Sequence, residues 1–180
     1  EVLLDQHAPN SYPGGVEFSQ DGAWFAIGWP LTNSVRIGRI DQPNAFVEVS
    51  IANLSDLRAD FDQPTVCFHP SSTWLYVSNG DQIGRISLTD LSRDSVVAET
   101  GMSGVLFDMD LTGKHLAAGR ETDNALLIWG TESEQLLNQR KGHVGGFDTF
   151  SFRGDTGFGV SAGSDGLLRF CGVLEFQEYR

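Results

Sequence analysis

The chain has 180 residues, of which 40% are hydrophobic and 11% aromatic, and its formal net charge is −12. These proportions predict a globular domain, or part of one, with enough apolar side chains for one sizeable core. The 12 basic residues form no cluster, which argues against nucleic-acid binding, and no apolar run is long enough to span a membrane. The acidity indicates either a solvated surface or attraction to a basic partner.

Residues 1–13 are predicted to form a leading edge strand followed by a loop. The first five residues have neither the basic start nor the long apolar stretch of a signal peptide. The compartment is left open, with the cytoplasm as the expectation.

The first repeat, residues 14–51, begins with a short alternating strand in which Val16 and Phe18 share one face. Asp21 and Gly22 then predict a turn, because both residue types favour tight turns. Further strands are predicted at 24–28, 35–40 and 46–51. The next residues, 52–63, are less regular and predict either a long loop or a single helical turn, which is also a candidate contact loop.

The same order of short strand, polar turn and apolar strand recurs at residues 64–98, 105–139 and 147–176. The predicted strands are 66–68, 74–77, 83–87 and 96–98 in the second repeat, 107–109, 115–118, 125–129 and 135–138 in the third, and 147–152, 158–161, 167–171 and 173–176 in the fourth. Phe18, Phe68, Met109 and Phe152 hold the same place in the four repeats, 41 to 50 residues apart, a period typical of propeller blades. The sequence therefore predicts an all-β fold: a single propeller segment, residues 1–180, with four blades of four antiparallel strands that form half a ring or a small propeller.

The last two repeats carry parts of a longer motif. The fourth has Gly142-His143, then FSFRGDTG, VSAGSDG and LLRFC, and the third has Asp123 followed by the strand ALLIW and Gly130. Together they resemble the Gly-His, Ser, Asp and Trp-Asp pattern of the WD-repeat family. The resemblance implies a buried hydrogen-bond network that holds each blade together, to which these residues would belong: His143, Ser161, Asp165, Asp123 and Trp129. Neither repeat has the whole set, because Cys171 replaces the Trp in the fourth and Ala118 replaces the Ser in the third.

The WD-repeat resemblance implies a scaffold without enzymatic activity or cofactor, which binds another protein or a peptide on its loops. Trp29 and Arg120 are the interaction candidates, because aromatic residues and Arg carry much of the energy at protein interfaces. An open row of four blades would leave an apolar face at each end. We therefore expect a homodimer, or association with a different chain that completes the ring, unless the sequence is a fragment of a longer protein that itself supplies the missing blades.

Two enzymatic alternatives remain open. The strand Leu75-Tyr-Val-Ser-Asn79 resembles the Tyr-Val-Thr-Asn strand of a mostly bacterial propeller group with lactonase-like members, in which Asp81 and Asp123 would face a metal-holding channel. Asp108-x-Asp110-x-Thr112 resembles the nucleophile loop of haloacid dehalogenase-type phosphatases. That family needs alternating strands and helices, whereas the repeat predicts that Asp108 and Asp110 face outward or enter a turn.

The remaining metal-ligand and thiol signals are weak. The four histidines have no zinc-ligand spacing, and the calcium-loop spacing that begins at Asp108 ends on Gly119 instead of Glu, so no metal site is predicted. Cys67 and Cys171 lie in alternating apolar runs and are interpreted as core residues.

Overall fold

The computed structural model describes residues 14–51, 64–79, 82–99, 107–120, 123–154 and 157–172. Within these ranges the chain forms fifteen strands, one short 3-10 helix (Pro30–Thr32) and no α-helix. The strands are β1 (Val16–Phe18), β2 (Trp24–Trp29), β3 (Ser34–Arg39), β4 (Gln42–Ser50), β5 (Val66–Phe68), β6 (Trp74–Asn79), β7 (Gln82–Ser87), β8 (Arg93–Glu99), β9 (Phe107–Met109), β10 (His115–Arg120), β11 (Ala125–Gly130), β12 (Gln135–Lys141), β13 (Phe147–Phe152), β14 (Phe158–Gly163) and β15 (Leu168–Gly172).

The prediction of an all-β chain is confirmed. The predicted leading strand in 1–13, the segment 52–63 and the predicted strand at 173–176 lie outside the described residues. In the part of the chain that is described, no helix has the length and apolarity that a membrane span requires.

The strands form four antiparallel sheets, and in each sheet consecutive strands are neighbours. The orders are β1-β2-β3-β4, β5-β6-β7-β8, β9-β10-β11-β12 and β13-β14-β15. Alternating apolar residues form the strands, and short polar turns join them, as the repeat predicts. In each four-stranded sheet the register shifts between the third and fourth strands, an irregularity that bends and twists the outer strand.

The turn between the first two strands has the same backbone in the first three sheets. Gly22, Ser72 and Gly113 occupy its left-handed position, with φ values of 67°, 53° and 72°. The N–H of each donates to the carbonyl three residues earlier, at 2.8–2.9 Å. Glycine suits this position because it has no Cβ to oppose a positive φ. Repetition of the turn gives the first three sheets a common first hairpin.

Apolar side chains fill the junctions between consecutive sheets. The first junction joins Ala26, Val35 and Ile37 to Val66, Phe68 and Leu75. The second joins Cys67, Tyr76 and Ile83 to Phe107, Met109 and Trp129. The third joins Ala117, Leu126 and Ile128 to Phe150. The first strands also meet in chain order, β1 with β5, β5 with β9 and β9 with β13, so the sheets form a row.

The middle residues of β1, β5 and β9 lie near the backbone of the next sheet. The Phe152 N–H donates to Oδ2 of Asp108 at 2.9 Å, and the Phe68 N–H bonds to the Glu17 carboxylate. The Met109 N–H lies near the Cys67 thiol but donates to Oδ1 of Asp108 in its own strand, at 2.8 Å. Asp108 therefore lies between the third and fourth sheets, and neither faces outward nor enters the turn. Local alternation distinguishes the two faces of a strand but cannot tell which face the next sheet will cover.

The row does not close on itself among the described residues. At one end, Val16 and Phe18 of β1 are 56% and 61% exposed. At the other end, Leu168 and Phe170 of β15 are 64% and 54% exposed. Each terminal sheet thus buries one apolar face in a junction and leaves apolar side chains exposed on the other.

Candidate functional site

A hydrogen-bond network centred on His143 fixes the loop that precedes the fourth sheet. The imidazole Nδ1 lies 2.7 Å from Oδ1 of Asp165, and Nε2 lies 2.9 Å from Oγ of Ser161. Asp165 also accepts the N–H groups of Val144 and Leu167, each at 3.1 Å. Three residues of the predicted network are thus brought together in one sheet.

Burial explains why this network is closely paired. His143 is 1% exposed, and its ring stands edge to face against Phe147, with ring centroids 5.2 Å apart. A buried imidazole needs partners for both nitrogens, and Asp165 and Ser161 supply them. The hydrogen bond from His143, supported by backbone N–H groups, holds the pKa of Asp165 well below its usual range. The network joins the loop before β13 to β14 and to the turn that follows β14.

The other two residues of the predicted network, both in the third sheet, lie apart from it. Asp123 is exposed and accepts the guanidinium of Arg120 at 2.9 and 2.7 Å, which lowers the pKa of the carboxyl. Trp129 is 4% exposed and packs in the junction with the second sheet. Because Ala118 lies where the fourth sheet has Ser161, the third sheet lacks the hydroxyl that completes the network.

The two interaction candidates differ in exposure. Trp29 is 3% exposed, and the Arg36 guanidinium covers its ring, 4.7 Å from the ring centroid. Glu48 in turn holds Arg36, with Oε2 3.2 Å from Nε. Trp29 therefore packs within its own sheet and does not offer its ring to a partner. Arg120 keeps 24% of its side chain exposed beside Asp123.

Loops of the third and fourth sheets lie side by side around the His143 network. The Gly142 N–H donates to the Asn124 carbonyl at 2.6 Å, and the Ser164 N–H donates to the Gly146 carbonyl at 3.2 Å. The Ser164 hydroxyl also donates to Asp148 at 3.2 Å. Five exposed or partly exposed residues in or next to these adjoining loops are called the loop patch: Arg120, Asp123, Val144, Asp148 and Ser164.

Val144 is the main apolar feature of the loop patch. Its side chain is 77% exposed, yet its backbone N–H is tied to Asp165. Gly145 and Gly146 follow with φ values of 93° and 128°, which other residues rarely adopt. The loop therefore holds an apolar side chain in solvent on a well-tethered backbone.

The carboxylates of the phosphatase-like motif are engaged elsewhere. Asp110 is 1% exposed, and its oxygens accept the Thr112 hydroxyl, the Lys114 N–H and Nδ1 of His115, the last at 2.7 Å. Asp108 bonds to the backbone of the next sheet. Neither carboxylate is free to attack a substrate, and Asp155 of the later motif lies outside the described residues.

No metal site is evident in the described ranges. They contain no group of three or more His, Cys, Asp or Glu residues that could hold an ion. Asp123 pairs with Arg120, and Asp81, the other carboxylate of the lactonase-like alternative, lies outside those ranges. Cys67 is buried and Cys171 half-buried, and both are free thiols. Burial, with Glu17 and Asp108 nearby, raises the pKa of the Cys67 thiol well above its usual range.

Sequence reasoning did not single out two features: the exposed side chain of Val144, and the position of Glu17 and Asp108 against the next sheet. The sequence around Val144 predicts only a loop, although the position of Val144 directly after Gly142-His143 could have identified it as a residue of interest. Glu17 and Asp108 share one position of the repeat, and their charge in the middle of an otherwise apolar strand was the signal of a special contact. No protein-family model matches the sequence, and the search of curated proteins found no match.

Proposed function

We propose that the four sheets are blades of a WD-like β-propeller segment, and that the chain is a scaffold that binds a protein or peptide through the loop patch. The observation that carries the proposal is Val144: an apolar side chain that is 77% exposed on a loop anchored by the His143 network. A rigid backbone lowers the entropy cost of binding, and an exposed apolar side chain gains from burial under a partner.

The polar members of the loop patch suit recognition of a peptide backbone or charged side chains. Arg120 and Asp123 present an ion pair that is partly exposed, and the exposed carboxylate of Asp148 accepts the Ser164 hydroxyl. An apolar centre with a polar rim is the usual composition of a protein interface. The repeated sheets supply the rigid support for these loops.

Selection of peptides from a random display library against the 180-residue chain tests this function. We expect the selected peptides to lose at least about 10-fold in affinity when Val144→Asp is introduced, because an apolar anchor is replaced by a charge. Arg120→Ala should weaken a subset of them. Leu136→Asp is the matched control, since Leu136 is also exposed (47%) but lies on β12, outside the loop patch.

Circular dichroism of each variant separates loss of binding from loss of fold. Peptides that bind the wild-type chain and the Val144→Asp variant equally well would remove the loop patch as the binding surface. A selection that yields no specific peptide would argue against a peptide-binding function at this surface.

A further inference from the structure

The exposed residue Phe18 occupies a position that is buried in the interior of the row. In the next two sheets the corresponding residues are Phe68 and Met109, which are 5% and 7% exposed because the preceding sheet covers them. Phe18 is 61% exposed. The first sheet therefore has the apolar face that receives a preceding sheet, although none precedes it among the described residues.

The fourth sheet has the opposite half of the same junction. Strand register aligns Ser151, Val160 and Phe170 of that sheet with Glu17, Ala26 and Ile37 of the first. It likewise aligns them with Asp108, Ala117 and Ile128 of the third. Ile37 and Ile128 are 1% and 0% exposed against a following sheet, whereas Phe170 is 54% exposed.

The contact between a main-chain N–H of one sheet and a side chain of the sheet before it also has both of its halves at the two ends of the row. The Ser19 N–H donates to the Trp24 carbonyl within the first sheet, so the N–H of the preceding residue, Phe18, points away from β2. The equivalent N–H groups of Phe68 and Phe152 each bond to a carboxylate of the sheet before, Glu17 and Asp108. The Met109 N–H lies near the Cys67 thiol of the sheet before, while it donates to Asp108 of its own strand. By register, Ser151 is the side chain of the fourth sheet that would face the Phe18 N–H.

We propose that these two faces pair between two copies of the chain, the outer face of the fourth sheet of each copy covering the first sheet of the other. A twofold axis then generates two identical head-to-tail junctions, and each places Phe170 against Phe18 as Ile37 lies against Phe68. A second copy fits because the first and fourth sheets carry the two halves of the junction, and the described residues do not join these halves to each other. The inference rests on the blade arrangement proposed above, but not on the loop patch.

Light scattering coupled to size exclusion tests the pairing on the 180-residue chain. We expect the wild-type particle to have twice the chain mass of 19.7 kDa. Phe18→Lys alone and Phe170→Glu alone should each give a monomer, because every dimer would then bury an unpaired charge in both junctions. Leu136→Lys, a comparably exposed apolar position on the outer strand of a middle sheet, should remain dimeric.

Mixing the two single variants distinguishes head-to-tail from head-to-head pairing. In a head-to-tail pair, one junction contains Lys opposite Glu and the other is unchanged, so the mixture should recover the dimer. Head-to-head pairing would leave each charge against an unchanged apolar face, and the mixture would stay monomeric.

Three outcomes overturn the proposal: a monomeric wild-type chain, a ladder of larger species that reflects open-ended growth, or a mixture that fails to dimerise. Because Val144 lies outside both faces, the Val144→Asp variant should remain a dimer. A chain that dimerises as expected but binds no peptide would contradict only the proposed function. A chain that binds peptides at the loop patch but does not dimerise would contradict only the pairing.

Discussion

The backbone N–H of Phe152 donates to Oδ2 of Asp108 at 2.9 Å and joins the fourth sheet to the third. Asp108→Ala removes the acceptor and leaves a half-buried N–H without its partner. We expect the free energy of unfolding to fall by about 1–3 kcal/mol, measured by urea denaturation. Asp108→Asn, which retains an oxygen acceptor, should lose less. Asp41→Ala, at an exposed turn that pairs only with Arg39, is the control. Equal stability of Asp108→Ala and wild type would show that this contact does not hold the sheets together.

Gly113 and Gly22 occupy the same turn position in different sheets, but their surroundings differ. A Cβ on Gly113 would collide with the His69 imidazole of the preceding sheet, whereas a Cβ on Gly22 meets nothing within 4 Å. Both have a positive φ, so each Ala substitution should cost about 1 kcal/mol from backbone strain alone. Gly113→Ala should cost about 1–3 kcal/mol more because of the collision. Thermal or urea unfolding of the two variants measures the difference, and equal losses would mean that His69 moves aside freely.

The His143 network should stabilise the fourth sheet. His143→Ala leaves the buried Ser161 hydroxyl and Asp165 without their shared partner, and we expect a loss of about 2–3 kcal/mol in the free energy of unfolding. Val144→Ala, in the same loop but exposed, should change stability little. Hydrogen exchange should show faster opening of β13 and β14 in the His143 variant. Unchanged protection of these strands would contradict a structural role.

Asp165 contributes to the free energy of unfolding in a pH-dependent way, and the direction of its pKa shift gives the sign of this contribution. Its pKa is lowered in the folded chain, mainly by the hydrogen bond from His143, so ionised Asp165 favours the folded state. This stabilisation is present above the unfolded-state pKa of about 3.9 and is lost as pH falls through the lower folded-state value. Asp165→Asn should therefore be less stable than wild type near about pH 7, and the difference should shrink below about pH 4. Denaturation curves at the two pH values measure it, and a difference independent of pH would contradict the assignment.

Glu17 should have the opposite dependence. Burial against the second sheet, with a smaller effect of Asp108, raises its pKa to about 7, although the Phe68 N–H opposes the shift. The contribution of Glu17 to the free energy of unfolding is therefore greatest below its unfolded-state pKa, and it declines as pH rises to about 7. Glu17→Gln removes the decline and should be more stable than wild type at about pH 8, by about 1–2 kcal/mol after allowance for solvent screening.

Glu48→Gln is the matched control for Glu17→Gln. Ser34 and Arg36 lower the pKa of Glu48, so its ionised form favours the folded state. The Glu48 variant should therefore be less stable than wild type at neutral pH. A Glu17→Gln variant that also loses stability at about pH 8 would mean that the carboxylate is held in its charged form.

The sequence predicted the strands because their determinants are local. Alternation places Val16 and Phe18 on one face, and Asp21 with Gly22 favours a turn wherever the segment lies. The three members of the His143 network were also named from the sequence, through a resemblance to the WD-repeat pattern that implies hydrogen bonds among them. Trp29 was predicted to be an interaction residue, but Arg36 covers it from the neighbouring strand, and that contact depends on strand register.

The contacts between sheets could not be predicted from local sequence patterns, because they also depend on the neighbouring sheets. Alternation reveals that Asp108 and Phe107 point to opposite faces of β9, but only the packing of whole sheets decides what each face meets. The exposure of Phe170 likewise depends on the absence of a following sheet among the described residues. Repeat alignment could have placed Glu17, Cys67, Asp108 and Ser151 in one column, although it could not have named the N–H groups opposite them.

The side chains at the position of Glu17 and Asp108 face a main-chain N–H of the next sheet, not a side chain, and this leaves the repeats free to differ in sequence there. Every residue except proline provides an N–H, so this position can hold Phe, as at Phe68 and Phe152, or Met, as at Met109. A change on the receiving strand needs no matching change on the strand before it. At this contact between a side chain and an N–H, one sheet can replace another. Duplication, removal or exchange of a sheet therefore requires no compensating side-chain substitution there.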